Sequence, residues 1–162
     1  MNSYEDITAR IISREDAGRI FSPSFRENNS IVFTNGCFDL LHRGHVYYLS
    51  RTRQLGDLLV VGLNTDSSVA RIKGPGRPLS GERSRAEVLA SLVFVDYVIL
   101  FEEDTPLELI LALRPDILVK GGDYKPEDIV GYHEVLSWGG RVETIPLLEG
   151  YSTSSIIRKM GG

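Results

Sequence analysis

Residues 34–45 read TNGCFDLLHRGH and hold two of the chain's three histidines, His42 and His45, with Gly44 between them. At positions i and i+3 of a helix start, the two imidazoles share one face. Each can donate a ring N–H to a phosphate oxygen, and Gly44 leaves room for close approach. The apolar run IVF at 31–33 comes just before, so a strand leads into a glycine turn and then a helix. A glycine turn bares backbone N–H groups. A helix N-terminus adds more of them, with a partial positive charge. Together they invite an anion. The residues alone leave two other uses open. One is a purely structural capping pair. The other is zinc, which needs a third ligand from His133 or a distant carboxylate; no H-E-x-x-H is present.

Further polar groups follow the other apolar runs. Asp66 follows the run at 58–64 and can cap a helix, accept a substrate hydroxyl or hold a magnesium-bound water. The loop GPGRPLSG at 74–81 is flanked by Lys73 and contains Arg77, which suits a mobile clamp on a polyphosphate. Arg85 lies in the first turns of the next helix. Lys120-Gly121-Gly122-Asp123 follows the fourth run, and its glycines would let a flat ligand approach the backbone. Ser152, Thr153, Ser154 and Ser155 open the last helix, where one hydroxyl is enough for a cap and four can cradle phosphate. Neither a G-x-x-x-x-G-K-[ST] loop nor a G-x-G-x-x-G fingerprint occurs. Cys37 is the one candidate nucleophile, and no histidine is evidently set to activate it.

These residues need a scaffold that gathers them. Strand-like runs at 31–34, 58–64, 95–100, 116–120 and 141–145 alternate with helical patterns. The helices are expected at 43–55, 66–73, from a Ser80 cap through Leu92 along Ala86, Val88 and Leu89, from a Thr105–Glu108 capping box to a stop before Arg114-Pro115, at 127–138, and from Ser152 to Met160. This alternation predicts an α/β fold, a doubly wound sheet of about five parallel strands with helices on both faces. The ligand site of such a sheet lies beyond the carboxyl ends of its strands. Every glycine- or hydroxyl-rich turn named above falls at that end. Residues 1–29 form a polar lead-in with a short helix capped by Ser13 and a loop at 22–30, and residues 30–162 form the main domain.

Bulk properties narrow the classes. With 162 residues, 42% of them hydrophobic, the chain can build one full core. A net charge of −4 with no basic tail gives no reason to expect nucleic acid or a membrane surface as partner. The N-terminus lacks a secretory h-region, and a single cysteine agrees with a reducing compartment, so the cytoplasm is expected. An exposed YVILF run at 97–101 would let two copies pair as a homodimer.

With many cationic and N–H donors and no activated nucleophile, the reaction that fits is phosphoryl-group chemistry, which depends on positioning and charge stabilisation. A phosphate acceptor is already ionised at neutral pH and needs no general base.

The stretch TNGCFDLLHRGH resembles the signature of the cytidylyltransferase-like nucleotidyltransferases. FTNGCFDLLHRGHVYYL, KGPGRP, VDYVILFEEDTP, PDILVKGGDYKPEDIVG and EGYSTSSII are similar to one branch, the heptose 1-phosphate adenylyltransferases. The resemblance spans about residues 10–160. It implies a Rossmann-like fold and transfer of AMP from ATP to D-glycero-β-D-manno-heptose 1-phosphate. The product would be ADP-heptose for the lipopolysaccharide core, with pyrophosphate released. Mg2+ would be held mainly by the phosphates. Many relatives fuse this domain to a sugar kinase, and the present length suits the domain by itself. The family also implies roles for individual residues. Asn35, Gly36, Cys37, Phe38 and Asp39 shape the α-phosphate and ribose region, and His42 and His45 hold the β- and γ-phosphates. Lys73 reaches the reacting phosphates. Arg85 grips the triphosphate or the acceptor phosphate. The Lys120–Asp123 turn lies near the nucleoside, and Ser152 and Thr153 contact the triphosphate. Two departures stand out: Ser154 replaces the second threonine of an STT motif, and Leu147 stands where glycerol 3-phosphate cytidylyltransferases carry arginine.

Overall fold

A computed structural model describes residues 3–161; residues 1, 2 and 162, at the ends of the two expected segments, lie outside it. Five strands form one parallel sheet: β1 (Ile31–Gly36), β2 (Leu58–Asn64), β3 (Tyr97–Phe101), β4 (Ile117–Gly121) and β5 (Arg141–Ile145), in the order β3-β2-β1-β4-β5. The winding reverses between β1 and β4. The helices are α1 (Tyr4–Thr8), α2 (Arg14–Ile20), α3 (Pro23–Arg26), α4 (Arg43–Arg53), α5 (Asp66–Lys73), α6 (Glu82–Ala90), α7 (Leu107–Leu113), α8 (Tyr132–Ser137) and α9 (Thr153–Lys159).

The period of two along each strand splits the core into two layers. Val32, Leu59, Val61 and Val98 face one side, where Leu49 of α4 and Ala86 and Leu89 of α6 cover them. Ile31, Phe33, Val60 and Ile99 face the other, under Ala17 of α2, Leu109 and Ile110 of α7 and Val135 of α8. Covering on both faces explains the unbroken apolar runs.

The expected pattern holds with local differences. The third strand starts at Tyr97 and the fourth at Ile117, because Asp96 and Asp116 turn back to accept the Leu59 and Ile31 amides, at 2.7 Å each. Helix α4 ends at Arg53, two residues short of Leu55. Thr65, not Asp66, caps α5, accepting the Ser68 amide. Ser80 does not cap α6; Gly81 occupies that position, since the Ser80 amide and carbonyl are taken by Asp39 and Arg85. Val88 is exposed, and the buried stripe of α6 is Arg85, Ala86, Leu89 and Ala90. Thr105 makes no capping bond to α7. The expected helix at 127–138 is a 3-10 turn, Pro126–Asp128, then α8; Gly131 at φ 91° divides them. The loop expected at 22–30 contains the single turn of α3.

The N-terminal residues are part of this packing. Ala17 and Phe21 are buried in the second layer. The segment 10–12 lies along the outer edge of β3: Val98 donates its amide to the Arg10 carbonyl at 2.9 Å, and the Ile12 amide donates to the Val98 carbonyl at 3.0 Å. The YVILF edge is therefore covered from within the chain, and three of its five residues are buried. No helix among the described residues is long and apolar enough to cross a membrane.

Candidate active site

A cleft of about 540 Å³ opens at the carboxyl ends of β1, β2 and β4. Asn35, Gly36, Cys37, Phe38, Asp39, His45, Lys73, Arg77, Lys120 and Thr153 line it. It adjoins a groove of about 270 Å³ lined by His42, Gly44, His45, Tyr48, Lys73, Leu147, Tyr151, Ser152 and Thr153. His45, Lys73, Thr153 and Ser154 border both. Polar residues from five segments thus meet at the reversal point of the sheet, as an open α/β sheet requires.

The histidine pair is built by α4. His42 is its N-cap, and its Nδ1 accepts the Gly44 amide at 3.1 Å. The neutral ring then carries its proton on Nε2, the remaining donor. A side chain at Gly44 would meet the His42 ring at 2.9 Å and Tyr151 Cβ at 3.1 Å, so this glycine is filled around by the cap and Tyr151, and does not open the surface. The His42 and His45 rings stack with centroids 3.8 Å apart, and Phe38 meets His45 edge-on at 5.1 Å. Phe38 itself sits at φ 44°, a conformation rare for a residue with a side chain. Burial lowers the pKa of His42. Burial first, then the adjacent His42, pushes His45 down to about 4, and the Leu40 carbonyl offsets only part of this. His45 Nδ1 is buried without a hydrogen-bond partner among the described residues. Burial thus favours the neutral form of both stacked rings.

Asp39 lies under the loop at 74–81. Its buried carboxylate accepts Arg77 Nε at 2.7 Å and the Leu79 and Ser80 amides at 2.9 Å. Burial opposes its ionisation, but the two amides and Arg77 outweigh this and hold it below the usual carboxylate range. In this arrangement Asp39 and Arg77 are engaged with each other.

Arg85 stands apart from the other three residues expected to act in the reaction. It is 2% exposed. Its guanidinium donates to the carbonyls of Ser80 (2.9 Å), Cys37 (2.7 Å) and Asn64 (2.9 Å) and to Asp66 Oδ1 (2.7 Å). It ties the turns after β1 and β2 to the start of α6. Asp66 is its partner and does not line the cleft.

Gly121, Gly122 and Asp123 are also outside both linings. Packing accounts for Gly121, where a side chain would meet Leu147 at 2.9 Å and Tyr48 at 3.0 Å. Gly122 adopts φ 113°. Lys120, just before them, does reach the cleft; burial lowers its pKa. Burial also raises the Cys37 thiol, against the pull of Lys73, Arg85 and Arg77. Ser152 caps α9 by accepting the Ser155 amide at 3.1 Å. Arg43 is exposed and donates to the hydroxyl of Tyr151, at the border of the groove, at 2.7 Å.

Sequence reasoning missed Asn64 and Tyr124 in the cleft wall. Asn64 was legible as a polar residue closing an apolar strand. It is buried, accepts Cys37 Sγ at 3.9 Å and donates to Ser68 at 3.0 Å. No three His, Cys, Asp or Glu side chains among the described residues stand together as a metal site.

Residues 33–159 match the model of the cytidylyltransferase-like family. The bifunctional protein HldE of Syntrophotalea carbinolica is 57% identical over 152 residues, 94% of this chain and 31% of that protein. The HldE of Trichlorobacter lovleyi is 56% identical over 157 residues, 97% of this chain and 32% of that one. The chain thus spans under a third of the length of these curated relatives. A solved lipopolysaccharide core biosynthesis protein from Thermoplasma volcanium superposes with a TM-score of 0.62 at 30% identity, over 76% of this chain and 99% of that one. Pantoate-beta-alanine ligase from Francisella tularensis shares the fold, with a TM-score of 0.61 at 13% identity over 91% of this chain and 75% of that one. With the H-x-G-H pair at the reversal point of a five-stranded parallel sheet and a family match over most of its length, the chain belongs to the cytidylyltransferase-like family and is a nucleotidyltransferase.

Proposed function

We propose that this chain transfers AMP from ATP to D-glycero-D-manno-heptose 1-phosphate, forming ADP-heptose for the lipopolysaccharide core. The observation that carries the reading is the convergence of His42, His45, Lys73, Ser152 and Thr153 on one groove beside a larger cleft. The identity to HldE proteins and to a lipopolysaccharide core biosynthesis protein supports the choice of acceptor.

In this mechanism an acceptor phosphate oxygen attacks the α-phosphorus of ATP in line. A new P–O bond forms as the α–β bridging P–O bond breaks, and pyrophosphate leaves with the electron pair. His42 Nε2–H, His45 and Lys73 stabilise charge on the triphosphate and its leaving group. Ser152 and Thr153 add hydroxyl donors. No protein nucleophile takes part, in keeping with a Cys37 thiol that burial keeps protonated. Asp39 and Arg85 act as positioning residues, through the loop and turns they hold. Among the described residues the cleft's carboxylates, Asp39 and Asp104, form no cluster, and Asp39 is already engaged; an Mg2+ arriving with the triphosphate would be held mainly by phosphate oxygens and would offset their charge.

The test is pyrophosphate release. ATP with heptose 1-phosphate should give stoichiometric pyrophosphate and ADP-heptose. Release with CTP and another phosphorylated alcohol, and none with ATP and heptose 1-phosphate, overturns the assignment.

A further inference from the structure

Lys120 is a half-buried cation without a counter-charge. It makes no hydrogen bond or ion pair among the described residues, and its ammonium lies 5.9 Å from the centre of the Tyr124 ring. It borders two spaces at once. One is the main cleft. The other is a side chamber of about 220 Å³, whose polar lining is Asn35, Lys120, Tyr124 and Asp128 and whose apolar wall includes Pro106 and Ile129. Asn35, Pro106, Lys120, Tyr124 and Val130 line both spaces, so the two meet along these residues, with Lys120 the cation among them. The chamber is smaller than the ~300–1,000 Å³ of clefts that hold drug-sized ligands. It suits one sugar ring and not a nucleoside triphosphate.

The groups suit a sugar phosphate. An unpaired ammonium half out of water gains most from a phosphate dianion. Burial lowers the Lys120 pKa, which a bound dianion would reverse. A half-exposed tyrosine ring offers a face for sugar C–H groups, and a carboxylate and an amide offer partners for hydroxyls.

We propose that the side chamber is the acceptor subsite, with Lys120 binding the phosphate of a sugar 1-phosphate at the junction, Tyr124 packing on the ring, and Asn35 and Asp128 holding its hydroxyls. The proposal rests on the adenylyltransferase reading above, and it moves Lys120 from the nucleoside, and Asn35 from the α-phosphate and ribose region, to the acceptor. The acceptor phosphate then faces the cleft from the β4 side and the triphosphate from the α4 side.

The experiment measures KM for each substrate by pyrophosphate release in Lys120→Met, Lys120→Arg and Asp128→Asn. Lys120→Met keeps the apolar stem. It should raise KM for heptose 1-phosphate by about tenfold or more, the loss of one charge-assisted contact. KM for ATP should stay unchanged. Lys120→Arg should recover much of the loss, and Asp128→Asn should also raise the acceptor KM. A rise in KM for ATP alone, or no change in either, overturns the subsite. If the wild type releases no pyrophosphate from ATP with this acceptor, the function reading fails. The subsite is then judged by calorimetric titration with heptose 1-phosphate and glucose 1-phosphate. Binding that Lys120→Met abolishes supports it; absent or unaltered binding overturns it.

Discussion

The rings of His42 and His45 lie stacked with their centroids 3.8 Å apart and their planes 24° from parallel. At that distance, two protonated imidazoles would repel each other unless an anion lay between or beside them. Burial and this proximity favour the neutral form of the pair, and a polyphosphate placed beside the rings would favour protonation.

Under the proposed mechanism His42 has two separable tasks, the cap on α4 and the Nε2–H donor. Asparagine is a good N-cap but places no donor where the imidazole did. His42→Asn should keep its melting temperature close to wild type. Its kcat/KM should fall on the order of 100-fold or more, as for loss of one transition-state donor. His42→Ala should lose both, with about 1 kcal/mol of stability gone with the cap. Steady-state kinetics beside thermal melts separate the two effects.

Acid should unfold the protein partly through His45. Its folded pKa is about 4 against an ordinary 6.5, so between those values the unfolded chain binds more protons than the folded one. Its contribution is present above pH 6.5 and is lost as pH falls toward about 4. His42 is shifted in the same direction. The melting temperature should drop across that window, and His45→Gln should flatten the slope there. An unchanged slope would remove His45 as its source.

Asp39 anchors the 74–81 loop through two amides and Arg77. Asp39→Ala leaves both amides without that acceptor and should cost about 1–3 kcal/mol. Hydrogen exchange at the Leu79 and Ser80 amides should accelerate with it. Asp39→Asn, which still accepts, should protect them in part.

Arg85 should behave as a structural residue of the site. Arg85→Met strands three carbonyls and Asp66, and should cost on the order of 3 kcal/mol in denaturant titration. Arg85→Lys should not rescue it, since a single ammonium cannot replace a planar fork reaching four acceptors. A variant with wild-type stability and lost activity would instead show direct contact with substrate.

The scaffold was legible because it is written in local pattern. Apolar runs and helical stripes marked all five strands, and the histidine pair, Lys73 and Ser152 were found from their places after them. What escaped depends on contacts between distant segments. Ser80 is an excellent cap in isolation, but Arg85 takes the carbonyl that would open the helix, Asp39 holds the amide, and Gly81 occupies the cap position. Arg85 reads as a grip on phosphate, although its place four residues before Leu89 put it on the buried face. The twin glycines at 121 and 122 suggested an open floor, and only the fold shows Leu147 and Tyr48 packed against the first. Gly131 was the overlooked local signal, a break in the middle of an apparent helix.

The strap at residues 10–12 also has a meaning in time. During synthesis it leaves the ribosome well before Tyr97–Phe101, the strand whose edge it covers. An uncovered strand edge is a template for pairing with a neighbouring chain. Here the cover exists before the edge does, so a nascent chain can close its own edge without waiting for later residues.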